Sequence, residues 1–112
     1  MAAQYNVRNN KDICQGNGTS VVLNLRNNAV CKGNGTTPLV NVRNTSICKG
    51  NSSNVLLNVR GNDICQGTGS NKVGKVNGDA VVINGHGVEV KGLSQFSPPI
   101  CAAVAVALLN PL

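Results

Sequence analysis

The chain has 112 residues, enough for one domain, and its formal net charge is +6 at pH 7. Hydrophobic residues make up 41% but aromatic residues only 2%, so burial must come from aliphatic side chains in thin layers. Charged residues amount to 12%, which excludes a disordered polyelectrolyte. The four acidic residues give no paired-carboxylate site for acid–base catalysis.

The chain begins with neither a basic nor an apolar segment, so no signal peptide is visible. The one long apolar run, residues 100–109, is too short to cross a bilayer, and we expect no membrane span. The positive charge admits an anionic polysaccharide or an anionic surface as a partner. Nucleic acid is disfavoured because no aromatic stacking platform accompanies the basic residues.

A repeat of 17 residues organises most of the chain. Each copy contains Asn-Val/Leu-Arg, then an aliphatic residue directly before a cysteine, and a glycine two residues after it. The period is too short for separate domains, so each copy must be one structural unit packed on the next. The recurring residues are Asn6, Asn24, Asn41 and Asn58; Arg8, Arg26, Arg43 and Arg60; and Cys14, Cys31, Cys48 and Cys65.

The apolar pieces of each copy are β-branched and separated by Gly/Asn clusters, which predicts short strands and turns. The sequence therefore predicts an all-β, cross-β-like β-solenoid over residues 1–92, with rungs of about 17 residues. Four rungs are regular and one is degenerate, because the first strand of the fifth copy, residues 72–75, has lost its apolar character. Val82 stands in the cysteine column of that copy, so the column tolerates an aliphatic residue. Residues 93–112 are predicted to form an apolar C-terminal packing segment.

Stacked rungs would lie ~4.8 Å apart and align identical side chains into ladders. An asparagine ladder would hydrogen-bond along the stack, whereas an arginine ladder would need solvent, salt or an anionic partner. Over residues 5 to about 91 the chain resembles short-rung β-solenoids and repeat-built functional amyloids, such as the curli subunit and the prion-forming solenoid of fungi. This resemblance implies a self-templating fibre.

The function predicted first is a structural protein of an extracellular or cell-surface fibre, whose partner is another copy of itself. Rungs would stack head to tail, and the apolar tail would pack on its own chain or on a neighbour. The residues predicted for intersubunit contact are Cys101, Ile100, Val104, Val106, Leu108 and Leu109.

The alternative function is a monomeric binding module. The arginine column would bind an anionic glycan, or a hydroxyl column would bind ice. A solvated edge that discourages wrong packing is the simpler interpretation of the arginines. The hydroxyl column consists of Thr19, Thr36, Ser53 and Ser70.

The remaining chemistry is sparse, and we predict neither an enzyme nor a bound metal or cofactor. One cysteine per repeat does not match zinc-ligand spacing, and His86 is interpreted as an exposed turn residue. The cysteines are either buried free thiols or partners in disulfides, Cys14 with Cys31 and Cys48 with Cys65. Four Asn-x-Ser/Thr patterns, beginning at residues 17, 34, 44 and 51, are glycosylation acceptors by pattern alone.

Overall fold

The computed structural model describes residues 4–109. This part of the chain forms eleven strands, a short 3₁₀ helix at Leu93–Gln95 and one α-helix. The elements are β1 (Tyr5–Arg8), β2 (Asp12–Gln15), β3 (Val21–Arg26), β4 (Ala29–Lys32), β5 (Pro38–Arg43), β6 (Ser46–Lys49), β7 (Val55–Arg60), β8 (Asp63–Gln66), β9 (Lys72–Asn77), β10 (Ala80–Ile83), β11 (His86–Lys91) and α1 (Pro98–Leu109).

Each 17-residue repeat forms an antiparallel hairpin, and successive hairpins lie side by side in one sheet. Two-residue turns join the paired strands and need a positive φ at their first residue, which asparagine and glycine tolerate. Asn27 has φ 55°, Asn44 has φ 57° and Gly61 has φ 64°. The first repeat has a three-residue turn, 9–11, which absorbs its one extra residue.

The sheet closes into a barrel because β1 pairs with β11. Every other neighbouring pair is antiparallel, so an odd number of strands makes the first and last run in the same direction. The closing ladder is accordingly parallel, with Tyr5 opposite Val90 and Asn6 opposite Lys91. Closure removes the free edges of an open sheet, where other strands could add.

Helix α1 fills the interior of this barrel. Six consecutive residues, Cys101 to Val106, are between 0 and 6% exposed. Since successive helical residues point about 100° apart, six of them cover every direction around the axis. The helix packs against β4–β7 on one side and β9–β11 on the other. The inward strand residues that complete this core are Ile13, Leu23, Val30, Val40, Val42, Ile47, Leu57, Val59, Ile64, Val76, Val81, Ile83, Val88 and Val90.

The predicted β-solenoid is therefore wrong, although the repeat and its strands are real. A stacked rung would place equivalent residues one strand spacing apart. A hairpin repeat in a barrel places them two strand spacings apart, about 9.6 Å. The apolar alternation that we assigned to a thin solenoid core instead lines a barrel wide enough to hold a helix.

The structure also corrects the prediction for the C-terminal segment. The segment does not pack on the outside of a solenoid, because its helix α1 lies inside the barrel of its own chain. Cys101, Val104 and Val106 are buried there, while Ile100, Leu108 and Leu109 are partly buried against the same core. The repeats and the tail thus share one hydrophobic core.

Within residues 4–109, the single α-helix spans 12 residues, and no helix is long and apolar enough to cross a membrane.

Candidate functional site

On the outer face of the barrel, the repeated asparagines fasten loops to the sheet. Asn24 is 4% exposed, and its Nδ2 donates to the carbonyl oxygens of Gly33, at 2.7 Å, and Gly35, at 3.0 Å. Both acceptors belong to the loop that follows the next strand, residues 33–37. The same pair of bonds joins Asn6 to Gly16 and Gly18, Asn41 to Gly50 and Ser52, and Asn58 to Gly67 and Gly69.

The asparagines therefore act within each hairpin and do not bond to one another along a stack. Each side-chain amide replaces water on two loop carbonyl groups that would otherwise need another partner. This explains why the Asn column, the cysteine column and the glycine column recur together at one period.

The four repeated cysteines lie beneath these loops and are between 0 and 2% exposed. They occupy alternate strands, so neighbours are about 9.6 Å apart, beyond the roughly 7 Å limit between Cα atoms for a disulfide. All five cysteines of the chain are free and buried. Cys101 lies on α1, its Sγ is 3.2 Å from the Leu93 carbonyl oxygen, and burial raises its thiol pKa to about 11.

The fifth repeat lacks the five-residue loop, and the residue that this loop would cover is exposed. Val82 occupies the cysteine position of β10 but is 42% exposed. Only the two-residue turn 84–85 follows β10, whereas five-residue loops follow β2, β4, β6 and β8. A cavity of about 300 Å³ lies over this uncovered part of the sheet and is lined by Val82, Gly87 and Glu89, among others.

The repeated arginines lie at the ends of β1, β3, β5 and β7, exposed on the outer face. Arg26 Nε donates to the Gly35 carbonyl oxygen at 3.2 Å, and Arg60 Nε donates to Asn58 Oδ1 at 3.2 Å. Equivalent positions are two strands apart, so the guanidinium groups are spread across the sheet and do not form a tight ladder.

The charge is unevenly distributed around the barrel. Residues 13–62 contain five basic residues and no acidic one. The acidic residues cluster elsewhere: Asp12 lies opposite Arg8, Asp63 forms an ion pair with Lys72 at 3.0 Å, and Asp79 and Glu89 belong to the last repeat. We call the outward-facing arginines of this acid-free sector the basic face; it comprises Arg26, Arg43 and Arg60. Lys32 and Lys49 lie at the opposite ends of the hairpins, paired with the inward-facing Leu23 and Val40.

The hydroxyl column does not form a strand face. Its members lie in the four five-residue loops, where each is exposed. A flat array of hydroxyl groups would require them on adjacent strands, so the structure does not bring them together in the way that the ice-binding alternative needs. They are Thr19, Thr36, Ser53 and Ser70.

The acidic residues and His86 form no metal-binding group within residues 4–109. No three metal-capable side chains are grouped there. Asp79 accepts a hydrogen bond from the Ser94 backbone N–H at 2.8 Å, which holds the pKa of its carboxyl below the usual value. That contact ties the 3₁₀ helix before α1 to the last repeat. His86 is exposed at the start of β11.

A cleft of about 500 Å³ lies at the seam between β1 and β11 and was not predicted from the sequence. Asn6, Arg8, Asn17 and Lys91 line it. Its residues come from opposite ends of the sequence, and only closure of the barrel brings them together. No protein-family model matches this chain, and neither does any curated protein or solved structure.

Proposed function

We propose that this protein is a binding module for anionic polysaccharide, which binds along the basic face. The carrying observation is that β3, β5 and β7 each present an arginine on the outer face, at their ends, and that strands β3–β7 contain no acidic residue. Four strand spacings separate β3 from β7, so this face is about 19 Å wide. A repeating polyanion reaches several such charges at once, and each exposed contact adds a small, salt-dependent gain.

Two of the arginines have no acidic residue opposite them in the sheet. Arg26 pairs with Ala29, and Arg43 pairs with Ser46. Arg60, by contrast, lies opposite Asp63. We therefore expect Arg26 and Arg43 to contribute most to the attraction of a polyanion, because no neighbouring carboxylate offsets their charge.

A glycan is favoured over nucleic acid because the basic face offers no ring for base stacking. The chain has one tyrosine and one phenylalanine, and both Tyr5 and Phe96 pack against the internal core. Stacking on aromatic side chains supplies much of the affinity for single-stranded nucleic acid. Sulfate or carboxylate groups on a sugar chain need only the cationic side chains.

The prediction of a fibre depended on unpaired strands at the two ends of a solenoid. Head-to-tail stacking needed open rungs at both ends of a solenoid, and a closed barrel presents no such rungs. Self-assembly by another route stays a prediction. Sedimentation velocity over a range of protein concentrations tests it, and a sedimentation coefficient that does not change with concentration counts against it.

Heparin-affinity chromatography tests the binding proposal with a matched pair of variants. Arg26→Gln/Arg43→Gln removes two charges from the basic face, and Lys72→Gln/Lys75→Gln removes two from β9. Both variants lower the net charge equally, so a bulk charge effect shifts both. We expect the first variant to elute at clearly lower salt and the second to elute near the parent protein.

Equal shifts for the two variants would show that heparin responds to net charge alone and would contradict the basic face. A neutral polysaccharide, dextran, serves as the negative ligand. Tighter binding of double-stranded DNA than of heparin at equal salt would contradict the choice of glycan.

A further inference from the structure

The seam between β1 and β11 breaks the regular repeat. The parallel ladder covers two residue pairs, the second being Asn6 with Lys91. The chain then turns away at Gly92, with φ 91°, into the 3₁₀ helix. On this side, the last part of β1, Val7 and Arg8, consequently borders a cleft of about 500 Å³, while β2 pairs with it on the other side. That volume is within the usual range for small-molecule sites.

Arg8 presents a fixed guanidinium group to this cleft. Its Nε donates to the Gly18 carbonyl oxygen at 2.9 Å, and its Nη2 donates to the Asn17 carbonyl oxygen at 3.2 Å. These two bonds use two of the five N–H groups of the side chain, and three remain for a ligand. Asp12 lies opposite Arg8 and offsets part of its charge, and the ammonium group of Lys11, 4.0 Å from the Asp12 carboxylate, restores part of the positive charge.

Held in this way, the guanidinium loses little conformational entropy when it binds a planar carboxylate. Lys91 lines the same cleft and supplies a second positive charge. The two cations come from β1 and β11, so both sides of the seam contribute to the site. Together they make the cleft suitable for an anionic group.

Two amide side chains add hydrogen-bonding groups of a different kind. Asn6 donates through Nδ2 to two loop carbonyl groups, which leaves its Oδ1 as an acceptor beside the cleft. The exposed side chain of Asn17 offers both a donor and an acceptor. A hydrogen-bond acceptor cannot bond to an anion that has no donor group, but it can accept a hydrogen bond from a hydroxyl group carried by the same ligand.

We propose that the cleft bordered by Arg8, Lys91, Asn6 and Asn17 binds an acidic monosaccharide, a sugar that carries one carboxylate. The carboxylate lies between Arg8 and Lys91, and ring hydroxyl groups bond to the two asparagine amides. Val7 and Gly92 form the apolar wall against which the sugar ring packs. This site is separate from the basic face of β3–β7 and does not depend on it.

Titration with glucuronate tests the proposal. Binding is measured by calorimetry and by changes in the NMR chemical shifts of backbone amides around the cleft. Arg8→Gln and Lys91→Gln should each weaken glucuronate binding about tenfold or more, as expected for the loss of charge-assisted bonds. Arg26→Gln is the matched control, because it removes the equivalent arginine of β3, which does not line the cleft at the seam. Its affinity should stay within about twofold of the parent protein. Equal weakening by Arg26→Gln, or unchanged binding in Lys91→Gln, would overturn the site.

Two further ligands test the contributions of the sugar ring and of the negative charge separately. Glucose tests the hydroxyl contacts without the carboxylate and should bind more weakly than glucuronate. Inorganic sulfate tests the charge without the sugar, and binding as tight as that of glucuronate would overturn the proposal. Arg26→Gln/Arg43→Gln should lose heparin affinity but keep glucuronate binding, so the two proposals can fail independently.

Discussion

Asn24 and Cys31 lie opposite each other on β3 and β4, and the amide of Asn24 holds the loop that buries the thiol of Cys31. The same relationship joins Asn6 to Cys14, Asn41 to Cys48 and Asn58 to Cys65. Each repeat therefore contains its own small outer layer, made of one loop, one amide and one thiol. Four predictions concern how this layer and the barrel beneath it are held.

Asn41→Ala should destabilise the protein by about 2–3 kcal/mol. The substitution removes bonds of 2.8 Å and 2.9 Å to the carbonyl oxygens of Gly50 and Ser52 and leaves both acceptors in a partly buried place. Urea unfolding followed by circular dichroism measures the loss. Alkylation of Cys48 should also become faster, because its loop is no longer fastened. Asn54→Ala, at an exposed position of the same loop, is the control and should change neither quantity appreciably.

Gly74→Ala should prevent folding or cost more than about 3 kcal/mol. A Cβ atom at Gly74 would collide with the backbone carbonyl oxygen of Val82 on the paired strand β10, and backbone atoms cannot move aside cheaply. Gly87→Ala is the control, because its new Cβ would meet the Val82 side chain at an ordinary 3.7 Å. Thermal unfolding of both variants tests this pair, and equal melting temperatures would contradict it.

Ala103→Leu should destabilise the protein by about 1–3 kcal/mol through overpacking. Ala103 is fully buried on α1, inside a barrel whose wall cannot expand without straining its ladders. Ala107→Leu, one helical turn later at a half-buried position, should cost clearly less. Urea unfolding compares the two. A greater loss for Ala107→Leu would mean that the helix is not enclosed as described.

Acidification should destabilise the protein partly through Asp79. The hydrogen bond from the Ser94 N–H lowers the carboxyl pKa in the folded state from its ordinary value of 3.8. A lowered folded-state pKa gives stability that is present above pH 3.8 and is lost as the pH falls through the folded-state value. Stability of Asp79→Asn should therefore depend less steeply on pH below about 4. If the free energy of unfolding in urea depended on pH equally in Asp79→Asn and in the parent protein, this role would be contradicted.

The sequence could predict the repeat, the strands and the faces of the strands, because period-2 alternation is a local property. It also indicated that both faces of the repeat are covered: Ile13 points into the barrel and Cys14 lies under a loop. It did not distinguish stacking from side-by-side pairing. A solenoid and a barrel of hairpins both place each residue in the environment of its counterpart 17 positions away.

The signal that favoured the barrel was in the turns. Asn27-Asn28, Asn44-Thr45 and Gly61-Asn62 each place a residue with positive φ first in a two-residue connection, which is a hairpin geometry. The partner of β1, by contrast, could not be found locally, because Tyr5 and Val90 are 85 positions apart. The seam cleft was unpredictable for the same reason.

The enclosed helix also makes the core of the barrel depend on an element that follows every strand in the sequence. Hairpins of neighbouring residues form early because their loops are short. Helix α1 follows every strand in the sequence, so the native core of the ring is complete only after α1 has been synthesised and packed inside it. Until then β1 and β11 both have exposed edges, and those edges can pair with another chain. A chain whose helix is not yet packed is thus open to aggregation through these edges, and a variant that slows packing of the helix would lengthen that interval.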